Sequence, residues 1–386
     1  PDDHRRDERR LVGALQIALE PGPDWNLDAA LSLRHDDVAV WSDETVRDVR
    51  SQPPTDEPGK PWQTEDALGL RVAAEGTPVD WLLLRGDASA GAEWLDSPYH
   101  DTHDRERLAV GLAPEIYLGR RVTLAPAVRW DRVGAHEGVS PRIGAAFRPI
   151  APIELRAAWG RTFRAPSFGE LFLEQGLVKA NPALAPERGW TADAGVVLRG
   201  AGAVLQIVAF ESRIEDLIVY QPATAGTTRP MNVHDARIRG GEVDLLWRPR
   251  PWLQLSGGYS LTRTQSLSER EPQRGRQLAF RPPHRAHGRL AVGLDGWDAW
   301  ISAAHQSSQY INRANTDRLP GGTAVGAGVG VRLVEAPWAI WISGQVDNAF
   351  DALLTDQLGF PQPTRAFTVT LRAHAPGARR NPFEET

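Results

Sequence analysis

Apolar and polar residues alternate along most of this chain, with the period of two that predicts β-strands. Residues 253–262 show the pattern clearly, with apolar side chains on one face at Leu253, Leu255, Tyr259 and Leu261. The other face of that segment carries glutamine, serine, glycine and threonine. Segments 122–131 and 325–333 alternate in the same way, and no segment has the pattern of a three-turn amphipathic helix. The pattern predicts an all-β chain.

The connections between these segments alternate in length. Counting the alternating segments gives about 17 strands, many near the ~9–11 residues that cross a bilayer obliquely. Short turns, such as 119–120, 150–152 and 295–296, separate longer polar connections. The predicted long loops are 43–65, 96–105, 134–139, 165–188, 222–235, 264–282, 312–322 and 352–363. Short periplasmic turns and long extracellular loops are typical of a transmembrane antiparallel β-barrel, which we therefore predict.

Tryptophans support the prediction of a membrane protein. Five of them follow short turns directly or within a residue: Trp25, Trp81, Trp252, Trp297 and Trp338. Aromatic side chains at that position form a girdle at the membrane interface of outer-membrane barrels.

Composition narrows the possible functions. The 386 residues include no cysteine, so disulfides and thiolate metal sites are excluded. The net charge of −5 gives no reason to expect nucleic-acid binding. No apolar run approaches the ~18 residues of a membrane helix. Motifs for a catalytic nucleophile or a phosphate-binding loop are absent, so we predict neither an enzyme nor a cofactor.

The strand count predicts that part of the barrel lies before Pro1. Single-chain bacterial barrels have even numbers of strands. A barrel of about 22 strands with a plugged lumen would lack its first five or so here. We predict that residues 1–376 belong to the barrel and residues 377–386 form a C-terminal tail.

Several motifs resemble the C-terminal half of a TonB-dependent outer-membrane receptor. They lie between residues 139 and 372 in the order that this family has. They are SPRIGAAFRP (140–149), LRAAWGRTFRAPSFGELF (155–172), NPALAPER (181–188), ARIRGGEVDLLWRP (236–249) and VDNAFDALLTDQLGFPQPTRAFTVTLR (346–372).

The resemblance implies a function in import. Such receptors are 22-stranded outer-membrane barrels with an N-terminal plug, and they take up ferric siderophores, haem or cobalamin. The TonB–ExbB–ExbD complex supplies energy through a box at the N-terminus, and this chain has neither plug nor box. The expected partners are TonB–ExbB–ExbD through the missing N-terminus, outer-membrane lipid and a small ligand of the metal-chelate type.

The resemblance also implies a role for the Pro-rich stretch 165–188. Its first part is expected to pack inward near the top of the lumen, anchored by Phe163, Pro166, Phe168, Leu171 and Phe172. The side chains expected to make polar contacts with plug or ligand are Arg161, Arg164 and Glu170. The alternative is that these residues only order the loop.

Two carboxylates are candidates for docking the plug. Alternation along 191–198 and 240–247 places Asp193 and Glu242 on the inward face. The resemblance implies that they pair with plug arginines. The alternative is that they face a water-filled lumen, where an unpaired charge costs little free energy. Inward arginines, among them Arg129, Arg156 and Arg332, suit either an anionic ligand or the plug.

Two further possibilities stay open. His100 and His103 are a weak candidate for metal binding, because histidines three apart converge only in a loop. A passive porin-type channel is the alternative function, and it predicts ion conductance without TonB.

Overall fold

The computed structural model describes residues 4–42, 63–97, 100–172, 178–223, 227–233, 235–267, 274–335, 338–357 and 360–374. In this part of the chain one single-turn helix, α1 (Phe168–Phe172), accompanies 24 strands. No helix among the described residues is long and apolar enough to cross a membrane. The predicted tail 377–386 and most of the predicted loop 43–65 lie outside the described residues.

In chain order the strands are β1 (His4–Gly22), β2 (Trp25–Ser42), β3 (Gln63–Val79), β4 (Leu82–Ser97), β5 (His100–Leu112), β6 (Glu115–Leu118), β7 (Val122–Val133), β8 (His136–Ile150), β9 (Ile153–Arg164), β10 (Glu187–Gly200), β11 (Ala203–Glu215), β12 (Leu217–Pro222), β13 (Thr228–Val233), β14 (Ala236–Arg250), β15 (Leu253–Ser266), β16 (His284–Leu294), β17 (Trp297–Gln306), β18 (Gln309–Tyr310), β19 (Arg318–Leu319), β20 (Gly322–Val334), β21 (Ala339–Asp347), β22 (Thr355–Gln357), β23 (Phe360–Pro361) and β24 (Ala366–His374).

The number of long strands agrees with the sequence. Six short strands form three two-stranded ribbons, β12–β13, β18–β19 and β22–β23. Of the eighteen others, β5 and β6 both pair with β4 and with β7, so they are two parts of one span. Pro114, which has no N–H to donate, lies in the gap between them. The described residues therefore contain 17 spans, and the prediction of an all-β, antiparallel chain with about 17 strands is confirmed.

The chain divides into two compact units. The first comprises Pro1–Ala145, Trp159–Trp190 and Ile214–Val233, and its strands β1 to β7 pair with their neighbours in sequence. The second comprises Ala146–Ala158, Thr191–Arg213 and His234–Thr386. Its strands pair in the order β14, β15, β16, β17, β20, β21, β24.

Two predicted long loops are wrong. Strand β4 reaches Ser97 and β5 begins at His100, so most of 96–105 is strand. Strands β7 and β8 are joined by a two-residue turn instead of a loop 134–139, and Gly134 adopts the positive φ of 56° that such a turn requires. In both places the strand continues into sequence that is polar on both faces, where alternation gives no signal. The predicted loop 222–235 contains β13.

Apolar side chains lie exposed in rows along the strands. Phe367, Val369 and Leu371 alternate on β24 with exposures of 77%, 75% and 69%. The five tryptophans after short turns are all exposed, Trp81 at 54%. On a water-soluble protein, rows of this kind would form a large exposed apolar patch that favours aggregation. On a membrane barrel, they are expected on the face that contacts lipid.

Substitution of Ile301 tests this assignment. Ile301 is 53% exposed in the middle of β17, between Leu290 of β16 and Ala327 of β20. We expect Ile301→Arg to lower the free energy of unfolding from lipid by about 2–4 kcal/mol, because it places a charge against hydrocarbon. The control is Ala304→Arg, an exposed position on the opposite face of the same strand. The free energy of unfolding is measured for both variants by urea unfolding in lipid vesicles. An equal decrease in the two variants would contradict the assignment of the Ile301 row to the lipid-facing side.

Candidate functional site

Helix α1 begins with a capping box. Ser167 Oγ accepts a hydrogen bond from the Glu170 backbone N–H at 3.2 Å, and Glu170 Oε2 accepts one from the Ser167 N–H at 2.8 Å. These two bonds satisfy backbone donors that a helix otherwise leaves open at its first turn. The single turn of helix fixes the direction in which the stretch after β9 leaves the strand.

Arg105 on β5 attaches this stretch to the sheet. Its Nη1 donates to the carbonyl oxygen of Pro166 at 2.9 Å, and its guanidinium lies 4.1 Å above the ring of Phe168. Its Nε donates to Glu93 on β4 at 2.6 Å. The side chain is only 14% exposed, and Pro166 and Phe168 are buried. The Arg105 guanidinium, which is largely buried and paired with Glu93, therefore holds the loop through a carbonyl oxygen and an aromatic ring.

A small apolar cluster lies under the loop. Leu171, Leu184 and Ile218 pack together, with Phe172 against them. The His103 ring stacks on Phe172 with the ring centres 3.6 Å apart and the planes 12° apart. Four of the predicted anchors, Pro166, Phe168, Leu171 and Phe172, thus lie in packed positions; Phe163 packs against Gly138.

Arg164 is held between two carboxylates. Its Nε and Nη2 donate to Glu187 at 2.6 and 2.8 Å, and its Nη1 and Nη2 donate to Glu170 at 3.0 and 3.1 Å. Burial alone would raise the pKa of the Glu170 carboxyl, but the hydrogen bonds from Arg164 and Ser167 outweigh it and hold that pKa below its usual value. The ion pair of Arg164 with Glu170 therefore stabilises the loop fully at neutral pH, where Glu170 is ionised. This stabilisation is lost only as the pH falls through the lowered pKa of Glu170.

The second part of the loop is tied to the β12–β13 hairpin. Asn232 of β13 donates to the carbonyl oxygens of Ala185 and Asp216 at 2.9 and 2.7 Å and accepts from the Ala185 N–H at 2.8 Å. Asn181 donates to the carbonyl oxygen of Pro230 at 2.9 Å. The part of the loop after residue 177 is therefore held to the hairpin by side-chain amides that bond to backbone groups.

A cavity of about 570 Å³ lies beside the loop. Five of the residues that line it are arginines, namely Arg105, Arg107, Arg129, Arg161 and Arg164. Most of this charge is neutralised: Arg107 shares Glu93 with Arg105, and Arg129 bonds to Asp87 and Asp131 at 3.0 and 2.9 Å. The cavity thus offers many guanidinium donors with little excess charge. Arg161 has no ion pair or hydrogen bond within the described part of the chain.

A protein-family model described as "TonB dependent receptor-like, beta-barrel" matches residues 1–349. The chain belongs to this family. The predicted family and its outer-membrane location are thereby confirmed, and members of the family are receptors and transporters, not enzymes.

Relatives with known names agree with this assignment. The vitamin B12 transporter BtuB of Photobacterium profundum is 23% identical over 307 residues, which are 73% of this chain and 47% of the relative. The ferric enterobactin receptor PfeA of Pseudomonas aeruginosa has a TM-score of 0.74 at 15% identity, covering 96% of this chain and 62% of that one. The ferric-catecholate import receptor Fiu of E. coli K12 has a TM-score of 0.72 at 13% identity, covering 95% of this chain and 64% of that one. The chain spans about half the length of the curated relative.

Neither of the two carboxylates expected to dock a plug is fully buried. Asp193 on β10 is half-buried, and Glu242 on β14 is exposed opposite Ser260. Neither has an ion pair or hydrogen bond with any described residue. The inward arginines behave differently, since Arg156 bonds to Glu154, and Arg332 bonds to Asp295 at 2.8 Å.

The histidine pair is not assembled into a loop. His100 and His103 both belong to β5, whose pairing with β4 has an irregularity between these two residues. His103 is stacked on Phe172, and the side chain of His100 lies outside the described part of the structure. Among the described residues, no three His, Asp or Glu side chains are arranged to hold a metal ion.

Some residues of the site were missed by the sequence prediction. Arg105 and Asn232 contact the loop from positions far away in the chain, and Asn181 of the loop contacts the distant Pro230, so no local pattern marks these contacts. The capping box could have been found, because Ser167 and Glu170 have the S-x-x-E spacing before an apolar pair.

The attachment by Arg105 can be tested by hydrogen exchange. We expect Arg105→Gln to increase the exchange rate of backbone amides in residues 167–172 by about tenfold, because a charged hydrogen bond and a cation–π contact are worth roughly 1–3 kcal/mol. Arg107→Gln is the matched control, since Arg107 shares Glu93 but donates no hydrogen bond to the described part of the loop. If both variants exchange at the same rate as the wild type, Arg105 does not hold the loop.

Proposed function

We propose that this chain is the barrel portion of a TonB-dependent importer whose nutrient is an oxygen-rich, anionic metal chelate. One observation supports this proposal most directly: a packed loop and an arginine-rich cavity of about 570 Å³ lie side by side. The volume is within the range of small-molecule sites. Ferric enterobactin and ferric-catecholate receptors are among the structures of similar fold, and the vitamin B12 transporter BtuB is among the sequence relatives. We propose a ferric chelate because of the guanidinium donors of the cavity.

Guanidinium groups suit this ligand class. Arg107 is 56% exposed and Arg129 is 42% exposed, so both keep donors free beyond their carboxylate partners. Planar guanidinium donors bind carboxylate, catecholate or phosphate oxygens in pairs. Since internal acids already balance most of the charge, we propose that recognition depends on directed hydrogen bonds more than on net attraction.

In the proposed mechanism no bond is made or broken by the protein. Ligand binds where the loop, the cavity wall and the apex of the plug meet. TonB, driven by ExbB–ExbD, then pulls on the plug and opens a path. Asp193 and Glu242 hold the plug arginines until that pull, and their lack of partners within the described chain supports this role.

Uptake assays with the full-length receptor test the import function. We expect radioactive iron supplied as ferric citrate or a ferric catecholate to enter cells only when TonB is present. Arg107→Gln combined with Arg129→Gln is expected to weaken chelate binding by about tenfold or more, from two charged hydrogen bonds. Arg148→Gln, an arginine outside the cavity that pairs with Glu154, serves as the control.

Two results would contradict the proposal. Ion conductance and solute entry that are independent of TonB would identify a passive channel. Uptake of cobalamin, with no binding of either ferric chelate, would keep TonB-dependent import but reject the anionic chelate.

The docking role of the carboxylates has its own test. We expect Asp193→Asn with Glu242→Gln to lower the free energy of unfolding of the plug inside the full-length receptor by about 1–3 kcal/mol, since plug arginines lose their partners. Hydrogen exchange of the plug amides measures the change. Asp80→Asn, in the turn after β3, is a control for loss of one exposed carboxylate. Unchanged exchange rates of the plug amides would show that Asp193 and Glu242 do not hold the plug and only face water.

A further inference from the structure

Two long connections of the second unit carry an excess of positive charge. We call them the loop arginine segments; they are residues 267–283, between β15 and β16, and residues 307–321, between β17 and β20. Together they contain six arginines and three acids, which gives a net charge of +3, whereas the whole chain has a net charge of −5. Five of these arginines belong to the described residues, namely Arg274, Arg276, Arg281, Arg313 and Arg318.

Both loop arginine segments lie at the strand ends away from the short turns. Strands β14 and β15 are joined by a turn at 251–252, and β16 and β17 by one at 295–296. Segment 267–283 follows the other end of β15, and segment 307–321 follows the other end of β17. Because short turns are periplasmic in outer-membrane barrels, the loop arginine segments are extracellular.

The positive charge of these segments is not neutralised internally. None of the five arginines has an ion pair with a carboxylate in the part of the chain that the structure describes. The acid of the described part, Asp317, accepts hydrogen bonds from Asn312 and from Thr316 Oγ1. Arg318 lies with its guanidinium 4.3 Å from the ring centre of Tyr310, a contact that leaves its charge in place. The segments therefore present unpaired guanidinium groups at the extracellular side.

Hydrogen bonds join the two segments to each other. Asn315, which has a positive φ of 56°, donates from its side-chain amide to the carbonyl oxygen of Gln277 at 3.0 Å. Its side-chain oxygen accepts from the Gln277 N–H at 2.8 Å. The Phe280 N–H donates to the carbonyl oxygen of Tyr310 at 2.8 Å. The described arginines therefore project from one connected loop body, which keeps their charges close together.

The charge of this loop body differs from that of the 570 Å³ cavity. In the cavity, acids such as Glu93 and Asp87 balance most of the guanidinium charge. A balanced site attracts an ion little beyond a Debye length, which is about 8 Å at physiological ionic strength. Excess charge of one sign, by contrast, raises the association rate of an oppositely charged ligand. The loop arginine segments supply the long-range attraction that the cavity lacks.

We propose that the loop arginine segments attract the anionic chelate from solution and raise the rate at which it associates with the receptor. This proposal rests on the proposed import of an anionic metal chelate. Charges outside the binding contacts change the association rate constant and its salt dependence. Directed hydrogen bonds of the bound state set the dissociation rate constant, and the loop arginine segments leave it unchanged.

Association kinetics of the full-length receptor test this proposal. Arg274, Arg276 and Arg281 are exposed, and changing all three to Gln lowers the net charge of the loop arginine segments from +3 to zero. For ferric citrate or a ferric catecholate, we expect an association rate constant about five- to tenfold lower at about 0.05 M NaCl. At about 0.5 M NaCl, where screening is strong, we expect a change of less than about twofold. Stopped-flow quenching of tryptophan fluorescence measures association and dissociation.

A matched variant keeps the charge. Arg274→Lys with Arg276→Lys and Arg281→Lys removes the guanidinium groups but retains three positive charges, and we expect the wild-type association rate. A loss in both triple variants, or faster dissociation from the Gln variant, would show direct binding by guanidinium groups and overturn attraction at a distance. Unchanged association of the Gln variant would overturn this proposal alone. A wild type that binds neither ferric chelate would reject the proposed nutrient, and this proposal with it.

Discussion

Backbone hydrogen bonding between neighbouring strands is the constraint on which the rest of this structure depends. β1 and β2 pair from His4 with Ser42 to Gly22 with Trp25, and each following strand extends the ladder. In hydrocarbon an unpaired backbone group has no water to bind, so a spanning strand must be paired along its length. That pairing fixes which side chains share a face. One row is then free to be apolar, and the other to carry charge.

Charge on the polar rows is neutralised mostly within the chain. Glu154 is the clearest example, since its side chain is 4% exposed and it accepts hydrogen bonds from Arg148, Arg156 and Arg199. A sheltered carboxylate with several guanidinium partners is stable, whereas a lone one is costly. Asp193, Glu242 and Arg161 have no ion pair with any described residue, and we propose the plug as the partner of the two carboxylates.

The sequence predicts the strands well because the lipid-facing row imposes a period of two, and it predicts the short turns because glycine and proline mark them. It fails where strands extend beyond that row. Residues 100–107 are polar on both faces, so their strand carries no pattern. The anchors of the loop were predicted from the resemblance, but their partners were not. Arg105 is 61 residues from Pro166, and such a contact is set by the register of several strands together.

The amide contacts of Asn181 and Asn232 have a mechanical consequence. They join the segment after α1 to the β12–β13 hairpin through backbone carbonyls on both sides. A displacement of either part is therefore transmitted to the other through these bonds. The hydrogen bond of Arg105 to Pro166 attaches the same stretch to the sheet, so movement of the stretch relative to the sheet requires this bond to change.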